Sequence, residues 1–369
     1  MRVLFVGRTR YATPLSETHA RKFRAVGAEL DYRVLGSAAP GARSDSLFRL
    51  VPAARPRLLD GPLFYALLPF RLARELRAFR PQAVLAQSPY EGAAALVARR
   101  LAAVPTKVVV EIHGDWRTST RLYGGSSRGR LGPLGDAVAA WAVRRADAVR
   151  TVSEFTASLV RALGVEPAAV FHTYTDIGSF LEREPLPLPE RPRAAFVGVL
   201  ERYKNVDGLA AAWRLAAPCL PGVTLELCGR GSRADVVESL LRDLPEQTVW
   251  HERLEPPEVA ALLDRATCLV LPSFSEGLPR VVIEALARGR PVVGSRGGGI
   301  PDAVEDGVNG LLVPVDDAPA LAEALVRILG DPGLAQRLAA RARPSGERLL
   351  TSPEEYARRV RALVEAVAG

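Results

Sequence analysis

Lysine is nearly missing from this chain. Of 49 basic residues only Lys22, Lys107 and Lys204 are lysine; the others are arginine. With abundant alanine and 29 prolines, that bias reads as the mark of a GC-rich coding sequence. The net charge of +8 and sequence pI near 9.8 therefore do not announce a nucleic-acid partner. Aromatic residues make up only 6% and are not interleaved with the basic ones, which argues further against nucleic acid. An anionic small molecule or an acidic membrane surface fits the charge better. Cysteine is also scarce. Cys219, Cys228 and Cys268 are odd in number and lack metal-ligand spacing, which excludes a disulfide framework and makes the cytoplasm the expected compartment. No apolar run approaches the ~20 residues that span a bilayer. The opening Met1-Arg2-Val3-Leu4-Phe5-Val6-Gly7 is too short for a secretory leader and reads as a first buried strand. No Asp-x-Asp occurs anywhere, so the usual carboxylate pair for a divalent cation is missing.

What is present is a repeating alternation. A chain of 369 residues is long for one core and suits two domains. In the first half, apolar runs at 2–6, 29–35, 83–86, 107–112 and 148–152 alternate with helical patterns at 17–26, 63–79, 92–103 and 134–145. Strands separated by helices of this length imply parallel βαβ units. Ser153 is placed to cap a further helix. Residues 182–192 then carry four prolines, too many for a helix interior or a central strand. We expect a semi-rigid linker at 183–193 between a domain at 1–182 and another at 194–350. The alternation restarts with strands at 194–199, 224–227 and 248–250 and helices at 207–215, 234–244 and 257–265. An amphipathic segment at 351–369 closes the chain. The predicted fold class is α/β, two doubly wound parallel-sheet domains with a ligand at the carboxyl ends of the strands.

The most informative stretch follows the apolar run Cys268-Leu269-Val270-Leu271. It reads Pro272-Ser273-Phe274-Ser275-Glu276-Gly277-Leu278-Pro279-Arg280-Val281-Val282-Ile283-Glu284. Pro279 suits the first helical position. Glu276 then lies in the loop before the helix and Glu284 on its second turn, so the two acids flank the free amides of the helix start, a ready anion site. Phosphates on the amides and hydroxyls on the acids suggest a sugar nucleotide. The run continues through Pro291-Val292-Val293-Gly294, the triplet Gly297-Gly298-Gly299 and Glu305-Asp306-Gly307-Val308-Asn309-Gly310, read as strand, glycine loop, short helix, tight turn and strand. From about Leu269 to Asp317 the chain resembles the retaining glycosyltransferases of the GT-B fold, family GT4, in their E-x7-E region.

The resemblance implies roles residue by residue. Glu284 would hold the ribose hydroxyls, as a carboxylate accepting two hydrogen bonds can. Glu276 would face the donor sugar and favour positive charge building at its anomeric carbon. The amides of Leu278, Arg280 and Val281 would receive the phosphates, with Gly277 and Pro279 as further donor-binding positions of the same turn. Phe196-Val197-Gly198-Val199-Leu200-Glu201-Arg202-Tyr203-Lys204 resembles the family's second phosphate loop, with Gly198 at the turn and Lys204 aligned to its lysine. The family's arginine is replaced by Val199, and Arg202 is the candidate to supply that charge. With lysine, arginine and a helix start doing the electrostatic work, neither a metal nor a cofactor is expected. His113, just past the 107–112 strand, resembles the family's active-site histidine and would position donor or acceptor. The loop Gly7-Arg8-Thr9-Arg10-Tyr11 lies where the family binds acceptors; its arginines suit an anionic acceptor or simply a solvated loop.

Three stretches have competing readings. Gly229-Arg230-Gly231-Ser232-Arg233-Ala234 matches the dinucleotide fingerprint, but it follows the second strand of its domain and lacks a ribose acid, so a glycine turn beside a nucleotide is favoured. Gly297-Gly298-Gly299 would let backbone approach a ligand or serve as a plain turn. Residues 63–77 are apolar with arginines to one side, a core helix interrupted at Pro69 or a segment lying on the inner membrane surface. The implied activity is sugar transfer from a nucleoside-diphosphate sugar to a small-molecule, glycan or lipid-linked acceptor, with retention. An epimerase on the same scaffold, or a binding protein without turnover, are the alternatives, the second suggested by Val199.

Overall fold

A computed structural model describes residues 1–56, 59–117 and 132–369. Among the described residues the chain forms two compact units, the first made of 1–117, 132–175 and 351–369, the second of 176–350.

Unit 1 is built on a seven-stranded parallel sheet: β1 (Arg2–Tyr11), β2 (Asp31–Ala38), β3 (Phe48–Val51), β4 (Ala83–Ala86), β5 (Lys107–Ile112), β6 (Ala148–Thr151) and β7 (Ala169–Val170). Their order is β3-β2-β1-β4-β5-β6-β7, so the winding reverses between β1 and β4. Helices cover both faces, and the central strands are correspondingly apolar; all four residues of β4 are buried. Unit 2 has six parallel strands: β8 (Arg193–Val197), β9 (Thr224–Cys228), β10 (Thr248–His251), β11 (Cys268–Leu271), β12 (Val292–Ser295) and β13 (Gly310–Val313). Their order is β10-β9-β8-β11-β12-β13, and the reversal falls between β8 and β11. The glutamate block and the Lys204 loop leave the carboxyl ends of those two strands, where an open α/β sheet holds its ligands.

The chain ends in the helix Pro353–Ala368, whose start is capped by Ser352 accepting from the Glu355 N–H. Tyr356, Ala357, Val360, Leu363 and Val364 enter the unit 1 core with Phe5, Phe23 and Tyr32. Arg361 pairs with Glu29 of the helix Glu17–Glu29 at 3.2 Å.

Several expectations are corrected. β1 does not end at residue 6: it continues to Tyr11 past a register shift against β2 between Val6 and Arg10, so Arg8 and Arg10 are strand residues rather than a loop. Pro69 does not interrupt its helix, which runs unbroken over Asp60–Phe79. The unit boundary falls at 175/176, and the proline-rich segment expected as a semi-rigid linker at 183–193 belongs to unit 2. Prolines cannot donate to a sheet, but carbonyls in such a segment still accept. Buried Arg288 donates to the carbonyls of Phe180, Arg183 and Glu184 and pairs with Asp264 at 2.6 Å. Buried Arg290 donates to the Leu186 carbonyl at 2.6 Å. Two arginines thus strap the segment along unit 2. No helix follows Gly299; residues 300–303 form turns.

Candidate active site

Lys204 ends the short 3-10 turn Arg202–Lys204 after β8. Asn205 follows in the left-handed region (φ 53°) and caps the helix Val206–Ala216 by accepting from the Gly208 N–H. This abrupt turn sends the Lys204 side chain inward, where it is only 7% exposed. Gly198 makes room for its stem: a Cβ at Gly198 would lie 3.3 Å from Lys204 Cε. The Lys204 ammonium donates to Glu276 Oε1 at 2.6 Å, and the Ser273 hydroxyl donates to the same oxygen at 2.9 Å. A backbone bond from Phe274 N to Tyr203 O (2.8 Å) ties the two loops together. Ser273 is thus a site residue that the sequence reading passed over, although it lies three residues before Glu276 in the same motif.

Pro279 is the N-cap, with extended backbone (ψ 115°), and Arg280 is the first helical residue, one position later than expected. Proline has no side-chain acceptor, and no side-chain hydrogen bond caps the helix Arg280–Ala287. Gly277 and Leu278 lead into it, Leu278 packed on the unit 2 core. Glu284 is 6% exposed and accepts from Arg280 Nε at 2.5 Å. Arg280 also donates to the Asp176 carbonyl at 2.9 Å. Burial pushes the Glu284 carboxyl above its ordinary pKa, with Arg280 opposing. Val199 is 46% exposed, and Arg202 is exposed with no ion pair among the described residues.

The glycine motifs resolve into backbone packing. A Cβ on Gly229 would lie 1.8 Å from the Gly198 carbonyl oxygen, and one on Gly231 would lie 2.3 Å from that of Leu200. The fingerprint-like turn therefore presses against the Lys204 loop and needs no dinucleotide. Gly298 (φ +58°) approaches the Glu276 main chain so closely that a Cβ would lie 2.3 Å from its nitrogen. Gly297 stands equally close to the carbonyls of Ser273 and Phe274, and Gly299 N donates to the Glu276 carbonyl at 2.8 Å. The triple glycine thus seats the acidic loop itself.

His113 belongs to unit 1. It follows β5 with its ring 38% exposed and Nε2 3.7 Å from Glu111 Oε2. Glu111 is buried and accepts from Arg150 at 2.7 Å. Burial pushes its carboxyl up, but Arg150, then His113 and Lys22, outweigh that and hold it well below the usual carboxylate range. Arg150 is itself fixed by the Phe171 carbonyl at 2.7 Å.

Residues 191–331 match the family model described as "Glycosyl transferases group 1", and residues 9–173 match that of a "Glycosyl transferase 4-like domain". The chain belongs to the group 1 glycosyltransferases. Over 281 residues it is 32% identical to a glycogen synthase of Mycobacterium tuberculosis, an alignment covering 74% of this chain and 65% of that protein. The chain thus spans just under two thirds of that curated relative. Among solved structures it superposes on sucrose-phosphate synthase from Thermosynechococcus elongatus with a TM-score of 0.77 at 19% identity, covering 100% and 99% of the two chains. It also superposes on HepE of Anabaena in complex with UDP-glucose with a TM-score of 0.70 at 16% identity, covering 99% and 100%. These likenesses establish the fold: two parallel-sheet domains of the GT-B kind.

Proposed function

We propose that this chain transfers a sugar from a nucleoside-diphosphate sugar to an acceptor hydroxyl, with retention at the anomeric carbon and without a metal ion. The observation that carries the reading is the Lys204–Glu276 pair, 2.6 Å apart beside a helix start that no side chain caps. In this reading Lys204 and the first-turn amides take the diphosphate, Glu276 faces the sugar, and Glu284 holds the ribose. The leaving diphosphate gains negative charge, and a fixed ammonium plus a helix N-terminus stabilise it where it develops. Arg202 supplies the further positive charge that Val199 does not. His113, kept in place by Glu111, positions donor or acceptor. Retention follows from the family resemblance: the departing phosphate takes the acceptor proton on the face from which it leaves. HepE, whose solved complex contains UDP-glucose, supports a nucleotide-sugar donor.

Thermal unfolding with UDP-, GDP-, ADP- and TDP-sugars tests the donor. A ligand at a hundred times its Kd stabilises the bound unit by about 2.7 kcal/mol. We expect one nucleotide series to raise the melting temperature, Lys204→Ala to abolish that rise, and turnover to survive EDTA. No shift with any nucleotide, or turnover lost with EDTA and restored by magnesium, contradicts the reading. Arg202→Ala with unchanged kinetics removes that residue from the clamp.

A further inference from the structure

The ends of the first three strands of unit 1, with the segments that follow them, enclose a cavity of about 590 Å3. Its charged lining is Arg8, Arg10, Arg55 and Asp60, and every other lining residue is alanine, proline or glycine. Arg8 lies within the register shift of β1 and Arg10 at its end, and both line the cavity. Arg8 donates to Asp60 Oδ2 at 2.8 Å, and Asp60 Oδ1 accepts from the Ala54 N–H at 2.9 Å, which fixes the segment after β3. Gly61 leaves room for this arrangement, since a Cβ there would lie 3.3 Å from the Arg8 guanidinium. Arg10 stands 3.7 Å from the same carboxylate and is 63% exposed. Arg55 is exposed and has no ion pair among the described residues. The lining thus holds one carboxylate and three guanidinium groups, a surplus of two positive charges inside a concave, small-residue wall.

We propose that this cavity binds a phosphate monoester carried by the acceptor. Guanidinium forks match phosphate oxygens in pairs, and a phosphate monoester carries about −1.5 to −2 charges near pH 7, which the surplus neutralises. The volume falls in the range of about 300–1,000 Å3 typical of small-molecule sites, so a soluble phosphorylated sugar or polyol fits better than a lipid headgroup. The acceptor assignment rests on the transfer reading above; the anion site rests on unit 1 alone.

Calorimetric titration of inorganic phosphate into the Lys204→Ala chain, which weakens the phosphate cradle proposed in unit 2, tests the anion site. Binding is expected, and adding Arg10→Ala and Arg55→Ala weakens it roughly 10- to 100-fold, the effect of two lost charge-assisted contacts discounted for solvent screening of exposed side chains. Both side chains are exposed, so an unchanged melting temperature verifies that the variant folds. Equal binding with and without them, or no binding, overturns the site. In transfer assays of the full chain, a hexose phosphate should be preferred over its parent hexose. In the double variant its KM should rise at least about tenfold, with donor hydrolysis in the absence of acceptor unchanged. Preference for the parent hexose, or for phosphatidic acid in vesicles over the hexose phosphate, overturns the soluble-acceptor assignment. Should no nucleotide sugar bind, the transfer reading falls while the phosphate titration still decides the anion site.

Discussion

Glu284 lies on a helix in which every residue from Val281 to Ala287 is buried, and its ionised form is maintained against that burial by one half-exposed arginine. Its pKa is raised in the folded chain. As pH climbs through the ordinary carboxylate range, the unfolded chain therefore loses this proton first. Stability is lost until the folded pKa is passed, and above it the cost is constant. Glu284→Gln removes the cost. We expect the variant to melt higher than the wild type near neutral pH, with the gain vanishing below the ordinary carboxylate range, while nucleotide-sugar affinity falls. Paired melting curves across pH check this; a variant that melts lower at neutral pH than the wild type refutes it. A carboxylate kept in place at a cost to stability is what a ligand-binding group looks like, and this is why the glutamate is read as more than a helix residue.

At the scale of single elements, the helix Asp60–Phe79 is the one whose reading stayed open. Phe64, Leu68, Leu72 and Leu76 face the core. Leu63, Leu67 and Phe70 form a second apolar stripe at helical spacing, exposed by 45%, 37% and 64%. Arg74 is exposed one turn beyond. The helix is thus a core helix, with an apolar stripe left on its outer side. We propose that the stripe meets an anionic membrane surface, apolar side chains entering it and arginines meeting the headgroups. Flotation with anionic vesicles should recover the wild-type chain and lose most of Phe70→Asp. Equal recovery of both rules the contact out. No helix among the described residues is long and apolar enough to cross a membrane.

At the scale of the whole molecule, the described chain passes from unit 1 to unit 2 at 175/176 and returns to unit 1 through its last helix. Four large side chains, Tyr356, Val360, Leu363 and Val364, are at most 5% exposed there. At about 1.5–3 kcal/mol each, their burial contributes roughly 6–12 kcal/mol, comparable with the whole stability of a domain. Deleting residues 351–369 should therefore unfold unit 1 while nucleotide-dependent protection in unit 2 survives. Hydrogen exchange resolved by segment distinguishes this from a loss shared by both units, which would contradict it. In unit 1 the buried Arg150–Glu111 pair also depends on a fully packed interior, because either charge alone there would be uncompensated.

The sequence alone determined the alternation of elements, and with it two parallel α/β domains. Continuous β-branched runs such as Val108-Val109-Val110 read as strands covered on both faces. It also brought out the acidic stretch, because Glu276, Pro279 and Glu284 lie close together along one loop and helix. The edge strands β3 and β7 escaped because β3 is broken by Arg49 and β7 is only two residues long, leaving no continuous apolar run to read. Tertiary structure alone decided that Lys204 and Glu276, 72 residues apart, share one hydrogen bond. It alone decided that the glycines are there for close backbone contact, that prolines 185–192 lie strapped to unit 2, and that Arg8, Arg10 and Arg55 line one cavity. The reason is physical. Local pattern fixes which way a side chain faces along its own element, whereas strand order and loop packing fix what it meets, and those depend on residues far away in the chain.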